Sequence, residues 1–222
     1  MNAVLCRSAR FGMTAVFAVF LPISAVAQPS LPGAPPTGAQ ADEHRAVDVV
    51  EFLAGGALGL GMHEGGHLVF DTVFDASPRV EGIHFGPIPF FAVTHRSDLS
   101  PRREFTISSA GFWVQEASNE WLLVRRPRLR REHAPLAKGL FAFNVLNSIG
   151  YAAVAFAKAG PFERDTRGMA ASIGVDERAI GVLVLAPALL DAYRYFRPES
   201  RWPKWAARSA KVASVLAVLK KR

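Results

Sequence analysis

The stretch that decides the fold reads Met62-His63-Glu64-Gly65-Gly66-His67-Leu68, and it lies within an apolar segment that runs from about Val49 to Phe74. Residues four apart share a face of an α-helix, so His63 and His67 can direct their imidazole nitrogens at one metal ion. Glu64 is then placed to act as general base towards a water molecule. Ionisable groups at membrane depth are costly, which favours a functional site. The pattern predicts metal ligands His63 and His67 and catalytic Glu64.

The alternative interpretation is a packed polar network that holds no metal. The glycines around the motif fit either interpretation. Gly55 and Gly59, like Gly61 and Gly65, recur at four-residue spacing, which lets another helix approach closely within a bilayer. Close packing explains this spacing as well as a metal site does.

Composition restricts both the size of the protein and the chemistry of a metal site. The 222 residues suffice for one domain, half of them are hydrophobic, and the formal charge is +7. The basic residues form short blocks beside apolar segments, which is typical of membrane flanks rather than of nucleic-acid binding. The only cysteine is Cys6, so any metal ligands must be His, Asp or Glu.

The amino terminus, residues 1–27, is predicted to be a secretory signal peptide. Arg7 and Arg10 precede an apolar core, and Ala25-Val26-Ala27 has the form of a cleavage site. An uncleaved anchor helix is the alternative. Residues 28–45 are predicted to be a flexible linker, 46–200 a membrane-embedded domain, and 201–222 a basic amphipathic tail.

Three further apolar segments follow the motif, and we predict helices for all of them. Residues 105–124 carry several polar side chains, residues 139–157 carry no charge, and residues 179–196 contain Asp191. Between the motif and these segments, residues 80–94 combine β-branched and aromatic residues with glycine and proline, which favours a hairpin or strand. The predicted fold class is mostly α, a polytopic membrane helix bundle with a short β-hairpin or strand segment after the first core helix.

The distribution of basic residues suggests how the segments cross the membrane. If residues 105–124 do not cross, three spans place every basic block in the cytoplasm, and the first and last spans run parallel. Asp191 then lies at a depth similar to that of His63 and His67, which makes it the predicted third metal ligand. The alternative for Asp191 is an ion pair with Arg194 or Arg197.

Three motifs, taken in order, resemble the site-2 protease family of intramembrane zinc metalloproteases. They are 62–68, then the Gly-Pro segment within 80–90, then Pro187-Ala188-Leu189-Leu190-Asp191-Ala192. The resemblance implies that the first motif binds zinc and supplies the base, and that the last supplies an aspartate ligand. Ala192 stands where the family has glycine. If Phe143-Asn144-Val145-Leu146-Asn147 is instead the counterpart of the family's Asn-bearing stretch, the third ligand lies elsewhere, and Asp165 and Asp176 are then the alternatives to Asp191.

From these residues and this resemblance we expect a zinc-dependent endopeptidase of the membrane, in a bacterial inner (cytoplasmic) membrane. Its expected cofactor is Zn²⁺, although Fe²⁺, Co²⁺ or Mn²⁺ would suit the same ligands. The expected partners are membrane lipid and a membrane-associated polypeptide substrate, with no nucleic acid. The alternative function is a non-catalytic membrane protein that uses the same polar core to bind metal or a partner.

Overall fold

The protein is described by a computed structural model covering residues 38–85 and 87–217. The predicted signal peptide, and the part of the predicted linker before residue 38, lie outside the described residues. The chain order is α1 Gly38–Val73, β1 Arg79–Phe85, β2 Ile88–Thr94, α2 Pro101–Arg125, a 3₁₀ turn Leu129–Arg131, α3 Pro135–Ala157, α4 Asp165–Ile173, α5 Glu177–Phe196 and α6 Trp202–Leu216.

The mostly helical prediction is confirmed, and so is the hairpin. β1 and β2 pair antiparallel, with Arg79 opposite Thr94 and Phe85 opposite Ile88. Among the described residues, three helices are long and apolar enough to cross a membrane: His44–Val73, Pro135–Ala157 and Glu177–Phe196. The helix α1 begins at Gly38, so residues 38–45, which we assigned to the linker, are helical.

Helices α1 and α3 pack closely and run in the same direction. A Cβ added to Gly139 would collide with the backbone carbonyl of Phe52, and one added to Gly59 would collide with the ring of Phe143. The two backbones therefore approach through glycine, as the spacing predicted for Gly55 and Gly59. A Cβ on Gly61 or Gly65 would meet nothing within 4 Å, so that pair does not serve close packing. Further along both helices, Tyr151 packs against His63, with ring centroids 5.8 Å apart.

Helix α2 runs antiparallel to α1, since Gly111 lies against the His63 ring and Ile107 lies against His67. Its 25 residues extend about 37 Å and return the chain to the end where α1 begins. The polar side chains that argued against a crossing are hydrogen-bonded inside the protein. For example, the Nδ2 of Asn144 donates to the Oδ1 of Asn119 at 2.9 Å.

The predicted parallel arrangement of the first and last spans is therefore wrong. Because α2 returns the chain, α3 starts beside the beginning of α1, where His133 pairs with Asp48 at 3.0 Å. Helix α5 then runs antiparallel to α3: Gly181 contacts Ala155, and the ring of Tyr195 stacks on Phe141. Asp191 consequently lies towards the start of α3.

One group of buried apolar side chains joins α2, α4 and α5 through Phe105, Phe112, Met169, Ile180 and Val184. A second group joins α2, the 3₁₀ turn and α3 through Leu122, Leu123, Leu129, Leu140, Phe141 and Val145. By contrast, α1 exposes large aliphatic side chains, including Leu53, Val69 and Val73, each more than half exposed. This distribution suits a helix whose outer face contacts lipid.

Candidate metal centre

Three side chains from two helices converge on one point. His63 and His67 lie one turn apart on α1, and Asp165 is the first residue of α4. The Nε2 of His63 lies 3.2 Å from the Oδ2 of Asp165 and 3.3 Å from the Nε2 of His67. The third side of the triangle, from the Nε2 of His67 to the Oδ2 of Asp165, is 3.5 Å. These residues form a candidate metal site.

The size of this triangle fits a first-row divalent ion. Nitrogen and oxygen ligands bind zinc at about 2.0–2.2 Å, so three corners of a tetrahedron around one ion lie about 3.3–3.6 Å apart. The observed separations are 3.2, 3.3 and 3.5 Å. Three protein ligands in a tetrahedral site leave a fourth position for water or substrate, which is the arrangement of catalytic rather than structural zinc.

Neighbouring groups hold the two imidazoles in a ligating orientation. The Nδ1 of His67 donates to the backbone carbonyl of Ile107 at 2.8 Å, which leaves the Nε2 lone pair of the neutral ring for a metal. The His63 ring is confined by Phe112 and Tyr151, and a Cβ on Gly111 would come within 2.5 Å of it. Sequence reasoning did not single out Tyr151, because one tyrosine in an apolar helix carries no distinctive pattern.

Asp165 is ionised, and no arginine or lysine pairs with it in the described part of the chain. Burial opposes ionisation, but the adjacent His67 and His63 hold the pKa of Asp165 well below its ordinary value. The preceding residue, Arg164, is already committed, since its Nε and Nη2 each donate to Glu177 at 2.7 Å. In the described part of the chain, the only ion-pair partners of Asp165 are the two imidazoles.

Glu64 lies beside this triangle in a cavity of about 460 Å³. His63, His67 and Asp165 line the same cavity, and Glu64 is half-buried, so its carboxylate has access to the enclosed space. The rest of the wall is mostly apolar and comes from α3, from the loop before α4, and from the hairpin. Within the hairpin the lining residues are Ile83, Phe91, Ala92 and Val93.

The other two candidate aspartates lie elsewhere. Asp191, the predicted third ligand, is buried and forms ion pairs with Arg194 at 3.0 Å and with Lys211 at 2.8 Å. This corresponds to its alternative interpretation as the partner of Arg194. Asp176 caps α5 by accepting from the backbone N–H of Arg178. The structure therefore brings Asp165, and neither of these two, to the histidine pair.

Comparisons with known proteins found no match: no protein-family profile, no curated protein and no solved structure matches this chain. The resemblance to site-2 proteases stays a prediction.

Proposed function

We propose that the protein is a zinc-dependent intramembrane endopeptidase, a polytopic helix bundle that cleaves a membrane-associated polypeptide. The observation that supports this most directly is the meeting of His63, His67 and Asp165 at ligand spacing, with Glu64 in the same cavity. Three of these four residues, His63, Glu64 and His67, come from the motif His-Glu-x-x-His, in which the glutamate serves as the base of a metalloprotease. The third ligand is assigned here to Asp165.

The residues divide the chemistry between them. Zinc held by His63, His67 and Asp165 would polarise the scissile carbonyl and increase the acidity of a water molecule. Glu64 accepts the proton of the attacking water and later passes it to the leaving amine, so that each proton taken is returned. Tyr151 and Phe112 pack around His63 and keep the ligand from turning away.

The hairpin supports a peptide substrate in particular. A membrane helix hides its amides in internal hydrogen bonds, so it must unwind before hydrolysis. β2 supplies three consecutive residues, Phe91, Ala92 and Val93, to the cavity wall, which brings strand backbone next to the metal centre. An extended substrate segment can pair with a strand of the hairpin and remain unwound there.

The test combines metal analysis with cleavage assays. The full chain, purified without chelators and reconstituted in vesicles with single-span reporter polypeptides, is expected to contain stoichiometric zinc or a similar divalent ion and to cut a reporter. Glu64→Gln should lower cleavage about 10²- to 10⁴-fold, since it removes the general base, while the metal stays bound. Glu163→Gln is the matched control, because Glu163 lines the same cavity and is exposed.

Each alternative gives a different result. A metal-bound protein that cuts no reporter, in wild type or control, supports the non-catalytic binding protein. Cleavage that is equally fast in Glu64→Gln and wild type refutes the general base. A protein purified without any divalent ion is a structural helix bundle, and the proposal then fails.

A further inference from the structure

A second cavity, of about 880 Å³, lies between the end of α2 and the end of α5. Its wall is built from the two chain segments that flank candidate membrane spans, one just before α3 and one just after α5. Four of the lining side chains are arginines, namely Arg128, Arg130, Arg131 and Arg197. We call this cavity the arginine pocket.

The arginine pocket is separate from the metal centre. It lies at the start of α3, whereas Tyr151, which packs on His63, is about 24 Å further along that helix at 1.5 Å per residue. No residue lines both cavities. Whatever binds in the arginine pocket therefore does not contact the proposed catalytic residues.

The charge in the pocket is uncompensated. Four guanidinium groups face one carboxylate, Glu199, so the lining carries a formal charge of +3. The neighbouring acid, Glu132, is paired with Arg126 at 3.4 Å. Within residues 38–85 and 87–217, none of the four lining arginines forms an ion pair, and all four are exposed. Arginine presents several N–H donors in a planar fork that matches the oxygens of a phosphate.

The surroundings of the pocket are those of a membrane surface. Phe196, at the end of α5, is 57 % exposed, and the guanidinium of Arg130 lies 5.5 Å from its ring centroid. Trp202 is 59 % exposed and packs beside Tyr193, with ring centroids 5.5 Å apart. Aromatic side chains at the ends of spans are typical of the headgroup level of a bilayer.

Helix α6 extends this surface. Its cationic side chains Arg208 and Lys211 both pair with Glu120 of α2. Its exposed side carries Trp205, 69 % exposed, and Val212, 56 % exposed. A short helix with a bound polar face and an exposed apolar face is expected to lie in the membrane interface.

We propose that the arginine pocket binds the headgroup phosphates of an anionic phospholipid. The acyl chains then lie against the exposed aromatic and aliphatic side chains beside the pocket. Basic pockets at the ends of membrane helices bind such headgroups, and a charge of +3 suits a headgroup with more than one phosphate, such as cardiolipin. A free phosphate has no acyl chain to contact the apolar side chains beside the pocket. A nucleic acid would have to lie against the exposed apolar side of α6.

The test uses the full chain in detergent, titrated with cardiolipin, with phosphatidylglycerol or with phosphatidylcholine, while thermal unfolding is recorded. The two anionic lipids should raise Tm, and phosphatidylcholine should not. Arg128→Gln/Arg131→Gln should require at least about tenfold more cardiolipin for half of the shift, since two phosphate contacts are lost. The control Arg45→Gln/Arg125→Gln removes the same charge at the same end, outside the pocket, and should behave as wild type.

Several outcomes would overturn the proposal. An equal loss in both double variants means that lipid binds through general surface charge. Inorganic phosphate that displaces cardiolipin at a similar concentration makes the pocket a site for a free anion. Displacement by a single-stranded oligonucleotide makes it a nucleic-acid site. Metal content serves as an independent measurement, because it should be unchanged in both double variants. Failure of the lipid proposal therefore does not bear on the peptidase proposal.

Discussion

Replacing Asp165 with asparagine should weaken metal binding sharply, while the same change at Asp191 should not. Asp165 is one of three protein ligands in the proposed site, and its Oδ2 lies 3.2 and 3.5 Å from the two ligating nitrogens. Structural zinc sites with four ligands bind with about 10–16 kcal/mol, or about 3–4 kcal/mol for each ligand. Loss of one ligand therefore corresponds to about 100- to 1,000-fold lower affinity.

The assay is competition for zinc with a chromophoric chelator, performed on purified full-length variants. Asp191→Asn is the matched control because it is the same conservative change at an aspartate outside the site, where it breaks ion pairs to Arg194 and Lys211 instead. Thermal unfolding in excess chelator checks that both variants remain folded. If Asp191→Asn loses the metal and Asp165→Asn keeps it, then the assignment of the third ligand is refuted, and the sequence-based choice of Asp191 was right.

Three further predictions follow from particular contacts. Burial opposes ionisation of Glu120, but Arg194, Arg208 and Lys211 together hold its pKa at about 2. Its contribution to stability is therefore present above about pH 4.5 and is lost as the pH falls through 2. Glu120→Gln should flatten the acid limb of a Tm profile. Burial raises the pKa of Glu116 to about 8 against the opposing effect of a hydrogen bond, so its contribution to stability is full below about pH 4.5 and is lost as the pH rises from there through 8. Glu116→Gln should remove that loss from a Tm profile, and an unchanged slope between pH 4.5 and 8 would contradict it. Gly111→Ala should displace His63 and weaken zinc binding, measured by chelator competition, about 10- to 100-fold. Gly65→Ala is the control: its Cβ meets nothing within 4 Å, so the affinity should stay unchanged.

The sequence was informative where local spacing determines geometry. Two histidines four residues apart must share a helix face, and the structure places their nitrogens 3.3 Å apart. Alternating β-branched and aromatic residues around Gly86-Pro87 favoured the hairpin that β1 and β2 form. Hydrophobic length alone identified the helices that could cross a membrane, because about 20 apolar residues are needed.

Long-range topology was not readable in the same way. Residues 105–124 looked too polar for a membrane span, because a sequence shows a polar side chain but not its hydrogen-bond partner. In the structure, Gln115 and Asn119 are buried and accept from Asn147 and Asn144 of α3. Because α2 runs back along α1, α5 runs opposite to α1, and Asp191 lies away from the histidines. One misjudged helix direction therefore changed the predicted third ligand.

Asp165 and Asp191 differ in what neutralises them, and this difference supports a metal at only one of them. Asp191 faces two cations, Arg194 and Lys211, so its charge is balanced within the chain. Asp165 faces two imidazole nitrogens that lie 3.3 Å apart. The Nδ1 of His67 is already bonded to the carbonyl of Ile107. The Nε2 atoms of both histidines and the Oδ2 of Asp165 therefore meet within 3.2 to 3.5 Å of one another. A divalent cation at the centre of this triangle would be bound by all three atoms at once, and this is the physical reason to expect a metal where the sequence placed only two of its ligands.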